Sequence, residues 1–285
     1  MAESYLQKAI AEYDADFIDR WHKVFREHRD SKNENRMWLA GPTSYLFNFG
    51  GEKFAIDPQV RRQKDRDVLL PTLVNEMAAV KFVLITHDHD DHMCVPLMKA
   101  LKDTPIVWYL PCGARRDLVE ASEIKEENTV YVSAGDAFKI GKLAVKAYYT
   151  PHGKPGGKFP DQRGYEIIAP SGTVFVPGDV RDYDYRGYGG LGDIELCLSH
   201  LWAGNNSIDE SEYAPIMEEY ADFTAEFKAN RHFLCHLYEI GRKEEFLWHD
   251  GHADRAATLL KERLPETEIY VPRVGDSYSL DFGDR

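Results

Sequence analysis

The segment THDHDDH, residues 86–92, constrains this chain more than any other part of its sequence. It contains three histidines and three aspartates, and it begins at the end of the apolar run FVLIT (82–86), which is typical of a buried strand. A helix-like segment, VPLMKALK, follows it. These ligand-capable side chains therefore project from the carboxyl end of a strand, where open sheets commonly place functional sites. The alternative, a solvated acidic loop, does not explain three histidines in so short a span.

The spacing within this segment predicts two adjacent metal positions. Residues two apart in an extended chain share a face, so His87 and His89 can hold one cation. Asp91 and His92 lie where the chain turns toward the helix, and they point to a second position nearby. Imidazole and carboxylate ligands suit zinc, manganese or iron. We expect one or two divalent ions, with zinc or manganese favoured and iron as a third alternative.

Two later segments offer further ligand candidates. His152 and Asp179 each follow a strand-like run and lie beside a glycine, where the backbone can approach an ion closely. Taken separately, each residue is equally consistent with an ordinary loop or turn position.

The order of apolar patterns predicts an α/β protein. Strand-like runs occur in groups, and helical patterns over 95–102, 210–230 and 254–264 separate them. Two sheets covered by helices on their outer faces are a reasonable architecture for this order. Residues 3–29 lack glycine and proline and follow one helical face. No linker is apparent, so we expect one domain over 1–285, with an N-terminal helix within residues 1–30 packed on it.

The net charge limits the classes of binding partner, and the cysteine content indicates the cellular compartment. The net charge is −13, which disfavours nucleic acid and an anionic membrane surface, because phosphate affinity comes mainly from Lys and Arg. We expect a small-molecule substrate. The four cysteines form no C-x-x-C pair, and the chain shows neither a secretion signal nor an apolar membrane span. These features predict a cytoplasmic protein. The sequence leaves the oligomeric state open, with a homo-oligomer as one alternative.

The motif H-x-H-x-D-H after a strand resembles the signature of the metallo-β-lactamase-fold hydrolases. The remaining landmarks of that family occur in the expected order, in the segments Ala55–Pro58, Thr150–Gly153, Val176–Asp179 and Cys235–His236. The resemblance implies an αββα sandwich, in which helices flank two mixed β-sheets. It also implies a hydrolase that acts through a metal-activated water.

The resemblance further implies a role for each candidate site residue. It assigns one metal position to three histidines: His87, His89 and His152. It assigns the other to Asp91, His92 and His236, with Asp179 bridging the two and Asp57 supporting the metal loop. Asp91 and Asp179 are the implied catalytic carboxylates, and Asp91 would orient the attacking water or carry its proton to the leaving group.

Within the family, the sequence is similar to the L-ascorbate-6-phosphate lactonase-like branch. The similarity lies in Trp38–Thr43, the THDHDDH run, Asp161–Tyr165 and the tyrosine-rich stretch after Asp179. It implies cleavage of a lactone or phosphoester-type bond in a small anionic metabolite, with manganese as a candidate ion. Two alternatives remain: a phosphodiesterase acting on a lipid-like or nucleotide substrate, and a non-catalytic, metal-stabilised sensing module.

Several side chains are candidates for contacting the substrate. Arg163 could offer a guanidinium fork to a phosphate or carboxylate, or it could pair with Asp161. The other candidates are aromatic and histidine side chains, at Tyr183, Tyr185, Tyr188, His200, His249 and His252. For His249 and His252 we favour a loop near the active site, with Asp250 capping the following helix, over a second metal centre.

Overall fold

Two β-sheets form the centre of the molecule in the computed structural model, which describes residues 5–32, 34–60, 62–239 and 241–282. The strands of the first sheet are β1 (Arg36–Leu39), β2 (Tyr45–Phe49), β3 (Glu52–Ile56), β4 (Phe82–Leu84), β5 (Val107–Pro111), β6 (Thr129–Val132) and β14 (Ser277–Ser279). Those of the second are β7 (Ala137–Ile140), β8 (Leu143–Tyr149), β9 (Arg163–Ala169), β10 (Gly172–Val176), β11 (Leu196–His200), β12 (Arg231–Cys235) and β13 (Glu268–Tyr270).

Both sheets are mixed. Their strand orders are β14-β1-β2-β3-β4-β5-β6 and β13-β12-β11-β10-β9-β8-β7. In the first sheet, β3 to β6 run parallel, and in the second, β10 to β13 run parallel. Strands β4 and β11 are buried along their whole length, as expected for parallel strands covered on both faces. Parallel strands present their carboxyl ends at one edge, so the loops that follow β4, β10, β11 and β12 can meet.

Helices flank the sheets, which confirms the αββα sandwich. They are α1 (Tyr5–Ala15), α2 (Phe17–Asp30), α3 (Gln63–Leu69), α4 (Leu73–Glu76), α5 (Val95–Ala100), α6 (Arg116–Ser122), α7 (Glu210–Ala225) and α8 (Asp250–Arg263). One contiguous set of buried apolar side chains extends from Tyr13 to Leu280. None of the helices in the described ranges is long and apolar enough to span a bilayer.

The N-terminal segment contains two helices, so the prediction of one helix over 3–29 was wrong in that respect. Helix α1 ends at Ala15 and α2 begins at Phe17, with Asp16 between them. The apolar spacing passes through this break because Tyr13 and Phe17, four residues apart, are both buried. A periodic pattern therefore could not reveal the break. Residues 3 and 4 of the predicted helix lie outside the described residues.

Candidate metal centre

Loops that follow four strands bring the predicted ligands to one edge of the sandwich. The segment 87–92 follows β4, and His152 follows β8. Asp179 follows β10, and His236 follows β12 directly. The β1–β2 loop ties two of these loops together: Pro42 accepts the backbone N–H of His236 at 3.0 Å, and the Thr43 hydroxyl donates to the carbonyl of Asp91 at 2.6 Å.

The ligand-capable atoms fall into two groups. In each group, all of these atoms lie within 4.8 Å of one another: His87, His89 and His152 in one, and Asp91, His92, Asp179 and His236 in the other. Asp179 connects the groups, since its Oδ2 lies 4.0 Å from His152 Nε2 and its Oδ1 lies 3.4 Å from His92 Nε2. The family resemblance assigns the same histidines and Asp91 to the two positions, and the ligand roles themselves stay a prediction.

Buried polar atoms that lack a hydrogen-bond partner indicate whether these residues are suited to binding a metal. A buried polar atom without a hydrogen bond is costly, and such atoms are rare in native proteins. Here they cluster in the site, at His87 Nε2, His92 Nε2, both ring nitrogens of His152 and of His236, and Asp179 Oδ2. These are nitrogen and oxygen atoms of the kinds that bind divalent transition metals. The residues present therefore fit one or two such ions.

The Asp57 carboxylate supports the ligand-bearing segment 86–92. It accepts the backbone N–H of Thr86 at 2.7 Å, the Thr86 hydroxyl at 2.6 Å and His92 Nδ1 at 2.7 Å. Because Nδ1 of His92 donates to Asp57, Nε2 is left to face the site, and such carboxylate partners commonly orient ligating histidines. Asp57 and His236 both adopt positive φ, at 46° and 69°. Strained backbone of this kind tends to occur at functional sites.

Electrostatics keep most of the histidines ready to bind a cation. Burial lowers the pKa of His152 to about 3, and it lowers the pKa of His87 well below its usual value. Both rings are therefore neutral near pH 7, with a nitrogen lone pair available. Burial opposes ionisation of Asp179, but His236 and His92 hold the pKa of its carboxyl well below the ordinary range. The first donor group thus offers neutral imidazoles beside an ionised carboxylate, whereas Asp179, Asp91 and Asp57 overcome the effect of burial and hold the pKa of His92 well above its usual value.

His200 lies behind Asp179 and has a different place from the one predicted. Its Nδ1 is 2.8 Å from Asp179 Oδ1, and its Nε2 is 2.7 Å from the Tyr45 hydroxyl. The side chain is buried, so it does not border an open substrate pocket. The strand pairing of β11 with β10 and β12 brings it there, and this neighbour relation is not visible in the local sequence.

The Arg163 side chain forms hydrogen bonds within the protein. Its two terminal nitrogens donate to the two carboxylate oxygens of Asp161 at 2.7 and 2.8 Å, and its Nε donates to the carbonyl of Val132. Only 5% of the side chain is exposed. The predicted fork toward a substrate is therefore corrected to the alternative, an intramolecular pair with Asp161.

The tyrosines after Asp179 are packed against other aromatic rings. The Tyr183 hydroxyl donates to the carbonyl of Trp202 at 2.5 Å, and its ring packs on Phe223. Tyr185 is half-buried beside Tyr149, and Tyr188 packs against Tyr185. The burial of Tyr183 removes it from the mouth of the site, since its one polar atom is already paired.

His249 and His252 cap a helix. His249 is the N-cap of α8, and its Nδ1 accepts the N–H of Gly251 at 3.1 Å. His252 Nδ1 accepts the N–H of His249, and its Nε2 donates to the carbonyl of Ser207 at 2.7 Å. Both imidazole rings therefore take part in hydrogen bonds that stabilise the loop and the start of α8. The prediction of Asp250 as the cap was wrong, because the extended backbone lies at His249 and the helix already includes Asp250.

Three charged residues beside the site were not predicted. Arg181 Nη2 lies 3.5 Å from Asp179 Oδ2, and Arg242 Nη2 lies 3.1 Å from Asp91 Oδ2. Glu239 Oε2 lies 3.3 Å from His236 Nε2 and pairs with Arg242. Their closeness in sequence to Asp179 and His236 was the available signal, since each follows its ligand by two to six positions.

The comparisons with known proteins agree with this site. Residues 52–237, which include all seven predicted ligands, match the family described as the beta-lactamase superfamily domain. A UPF0173 metal-dependent hydrolase of Pyrobaculum arsenaticum is 31% identical over 171 residues, covering 55% of this chain and 68% of that protein.

Two solved structures share the fold. The metallo-beta-lactamase fold protein YhfI from Bacillus subtilis has a TM-score of 0.57 and 16% identity, over 86% of this chain and 99% of that chain. Igni18, a metallo hydrolase from Ignicoccus hospitalis, has a TM-score of 0.57 and 14% identity, over 86% of this chain and 98% of that chain. With the matched family and the two donor groups, these findings identify the chain as a metal-dependent hydrolase that belongs to the beta-lactamase superfamily and has the metallo-β-lactamase fold.

Proposed function

We propose that this hydrolase cleaves a lactone or phosphoester-type bond in a small anionic metabolite. The observation that carries the proposal is the pair of adjacent donor groups joined through Asp179, whose carboxylate lies within 4.0 Å of His152 and 3.4 Å of His92. Such a pair suits hydrolysis, because one position can serve the attacking water and the other the oxygen of the bond that breaks.

The residues that would hold the ions follow from the two groups. His87, His89 and His152 would hold the first ion, and Asp91, His92 and His236 the second, with Asp179 shared. A divalent ion in such a site lowers the pKa of a bound water from about 15.7 toward about 7 and polarises the oxygen of the scissile bond. The mixture of imidazole and carboxylate donors suits zinc or manganese, with iron as a third candidate.

Asp91 and Asp179 have separate tasks in the proposed reaction. Asp91 Oδ2 faces His236 Nε2 at 3.4 Å, and the side chain is buried. From there Asp91 would orient the attacking water, take its proton and deliver it to the leaving oxygen as the bond breaks. Asp179, held by His200, would keep the two donor groups at a fixed separation.

The substrate class rests on the resemblance to the lactonase-like branch and on charge. An overall charge of −13 favours a small molecule over nucleic acid. We also propose a cytoplasmic setting, because the four cysteines are all free.

Metal analysis and parallel substrate assays test this function. Native protein supplemented with zinc or manganese should retain divalent ion, while Asp179→Ala and His87→Ala should retain less. The buried His232, which lies on β12 away from both donor groups, provides a matched His232→Gln control. A native protein without bound ion contradicts the proposal.

The substrate assays distinguish the proposed function from the two alternatives, a phosphodiesterase and a sensing module. Turnover in a panel of lactones and phosphorylated lactones supports the proposal. Turnover of bis-p-nitrophenyl phosphate alone favours a phosphodiesterase. Metal binding that raises the melting temperature, with no turnover in a broad screen, favours a sensing module; the thermal shift alone does not discriminate, since any ligand of the folded state produces one.

A further inference from the structure

Two guanidinium groups lie beside the metal centre, and each contacts a carboxylate of the second donor group. Arg181 Nη2 is 3.5 Å from Asp179 Oδ2, and its charge also acts on His89 and His152 of the first group. Arg242 Nη2 is 3.1 Å from Asp91 Oδ2 in the second group. Both side chains reach solvent, with exposed fractions of 21% and 25%.

Arg181 is held in place by contacts that leave part of its guanidinium unpaired. Its backbone N–H donates to the carbonyl of Pro151 at 3.1 Å, which ties it to the loop of His152. The guanidinium carbon lies 5.3 Å from the centre of the Trp202 ring, a cation–π distance. Its Nε is buried without a hydrogen-bond partner. A fixed cation with donor capacity to spare is suited to binding an anion.

Arg242 is positioned by its own loop. Its backbone N–H donates to the carbonyl of Glu239 at 3.2 Å, and its side chain forms an ion pair with the Glu239 carboxylate. The same guanidinium reaches Asp91, so it is anchored by two acidic residues and directed toward the second donor group. Anchoring reduces the entropy lost when an anion binds.

The charge balance of a loaded centre favours an anionic ligand. The buried carboxylates around the two groups are Asp57, Asp88, Asp91, Asp179 and Glu239. When both metal positions are filled, two divalent ions and two guanidinium groups together carry more positive charge than these five carboxylates neutralise. The resulting positive field attracts an anion and raises its local concentration.

We infer that Arg181 and Arg242 are specificity-determining residues that bind a phosphoryl group on the substrate. A phosphate monoester carries nearly two negative charges and three acceptor oxygens, which match two guanidinium forks better than the single charge of a carboxylate does. This inference rests on the proposed function, since it names the group by which the substrate is recognised.

The first test measures phosphate binding without turnover. Inorganic phosphate is titrated calorimetrically into manganese-loaded and zinc-loaded protein. Arg181→Gln and Arg242→Gln should each weaken binding about tenfold, as expected for loss of one charge-assisted hydrogen bond. Arg181→Lys and Arg242→Lys should retain part of the affinity. Arg186→Gln is the matched control, because Arg186 pairs with Glu226 on the surface, and it should leave phosphate affinity unchanged.

The second test compares a phosphorylated lactone with an uncharged lactone of similar size. The Gln variants should raise KM for the phosphorylated substrate about tenfold and change kcat/KM for the uncharged one much less. Bound metal, measured on the same samples, should stay at the native level. Unchanged phosphate affinity overturns the inference, as does an equal loss on both substrates together with loss of metal, which marks the arginines as positioning residues.

The two proposals fail differently. A native protein that hydrolyses neither lactones nor phosphoesters contradicts the proposed function, whereas the phosphate titration still decides the role of the arginines. If a Gln variant does not fold, judged by its thermal transition, the Lys variant provides the comparison: phosphate affinity equal to the native value in both Lys variants contradicts recognition by a guanidinium fork.

Discussion

Nδ1 of His200 lies 2.8 Å from Oδ1 of Asp179, directly behind the carboxylate that connects the two donor groups. Burial holds the pKa of Tyr45 well above its usual value, so the Tyr45 hydroxyl stays protonated and donates to His200 Nε2. With Nε2 accepting from Tyr45, Nδ1 of His200 is the donor to Asp179. A buried chain of two hydrogen bonds thus sets the orientation of the shared carboxylate.

Replacing His200 should weaken metal binding without removing a ligand. In His200→Ala, Asp179 loses the donor that orients it, and we expect metal affinity to fall about 10–100-fold, as for other groups that support ligands. Competition with a chelator of known affinity measures this change. His232→Gln, on the neighbouring strand β12, should bind metal like the native protein. Equal affinities in His200→Ala and the native protein contradict the role of His200.

Arg163 should contribute to stability and not to substrate binding. Arg163→Met leaves the Asp161 carboxylate without its bidentate partner, and we expect the free energy of unfolding to fall by about 2 kcal/mol. Urea denaturation measures this loss. Metal content and KM should stay close to the native values. A raised KM with unchanged stability would restore the substrate role that the sequence suggested.

Helix α2 should be an integral part of the fold. Trp21 is 1% exposed and belongs to the contiguous core, so Trp21→Ala should cost about 3–5 kcal/mol of unfolding free energy. We propose that residues 1–285 form one domain, and the variant should therefore still unfold in one transition. Asp16→Ala, at the exposed junction of α1 and α2, is the control and should change stability little. Separate transitions for the N-terminal helices and the sandwich contradict the single domain.

His28 should make the fold sensitive to acid. Burial lowers its pKa from 6.5 to about 4, and its Nε2 donates to the carbonyl of Phe47. Between these two values the unfolded chain binds a proton that the folded chain does not, so stability falls as the pH falls from 6.5 toward 4. At about pH 5 the loss from this residue is about 2 kcal/mol.

The matched variant is His28→Gln, which keeps a donor for the Phe47 carbonyl and does not titrate. Unfolding free energies measured from pH 7 to pH 5, with chelator present throughout, should depend less steeply on pH in the variant. Identical slopes in the two proteins would show that His28 does not contribute.

The ligand-bearing segment 87–92 could be predicted from the sequence because its residues lie close together along the chain. Two histidines separated by one residue after a buried strand face the same way in an extended chain, so His87 and His89 required no knowledge of the tertiary structure. The strands around Gly141 and the hairpin β9–β10 were likewise predictable, because alternation and turn residues act between near neighbours. The resemblance supplied the remaining ligands, His152, Asp179 and His236, in their order along the chain.

The partners of the other polar residues depended on which distant strands are neighbours. His200 reaches Asp179 because β10 and β11 pair, and Arg163 donates to the carbonyl of Val132, at the end of β6 in the first sheet. The N-cap of α8 was missed because His249 and Asp250 differ in backbone conformation, which local residue preferences do not determine. Arg181 and Arg242 belong to no motif, and their only signal in the sequence was closeness to Asp179 and His236.

The sequence by itself determined the grouping of the strands, the ligand-bearing loop and the chemical types of the donors, because these depend on side-chain chemistry and on spacing along the chain. It did not predict helices α3, α4 and α6. Only the tertiary structure decided which charges face the site and which are paired elsewhere. That outcome depends on packing between segments more than a hundred residues apart, such as Asp91 and Arg242, whose side chains meet because β4 and β12 end at the same edge of the sandwich.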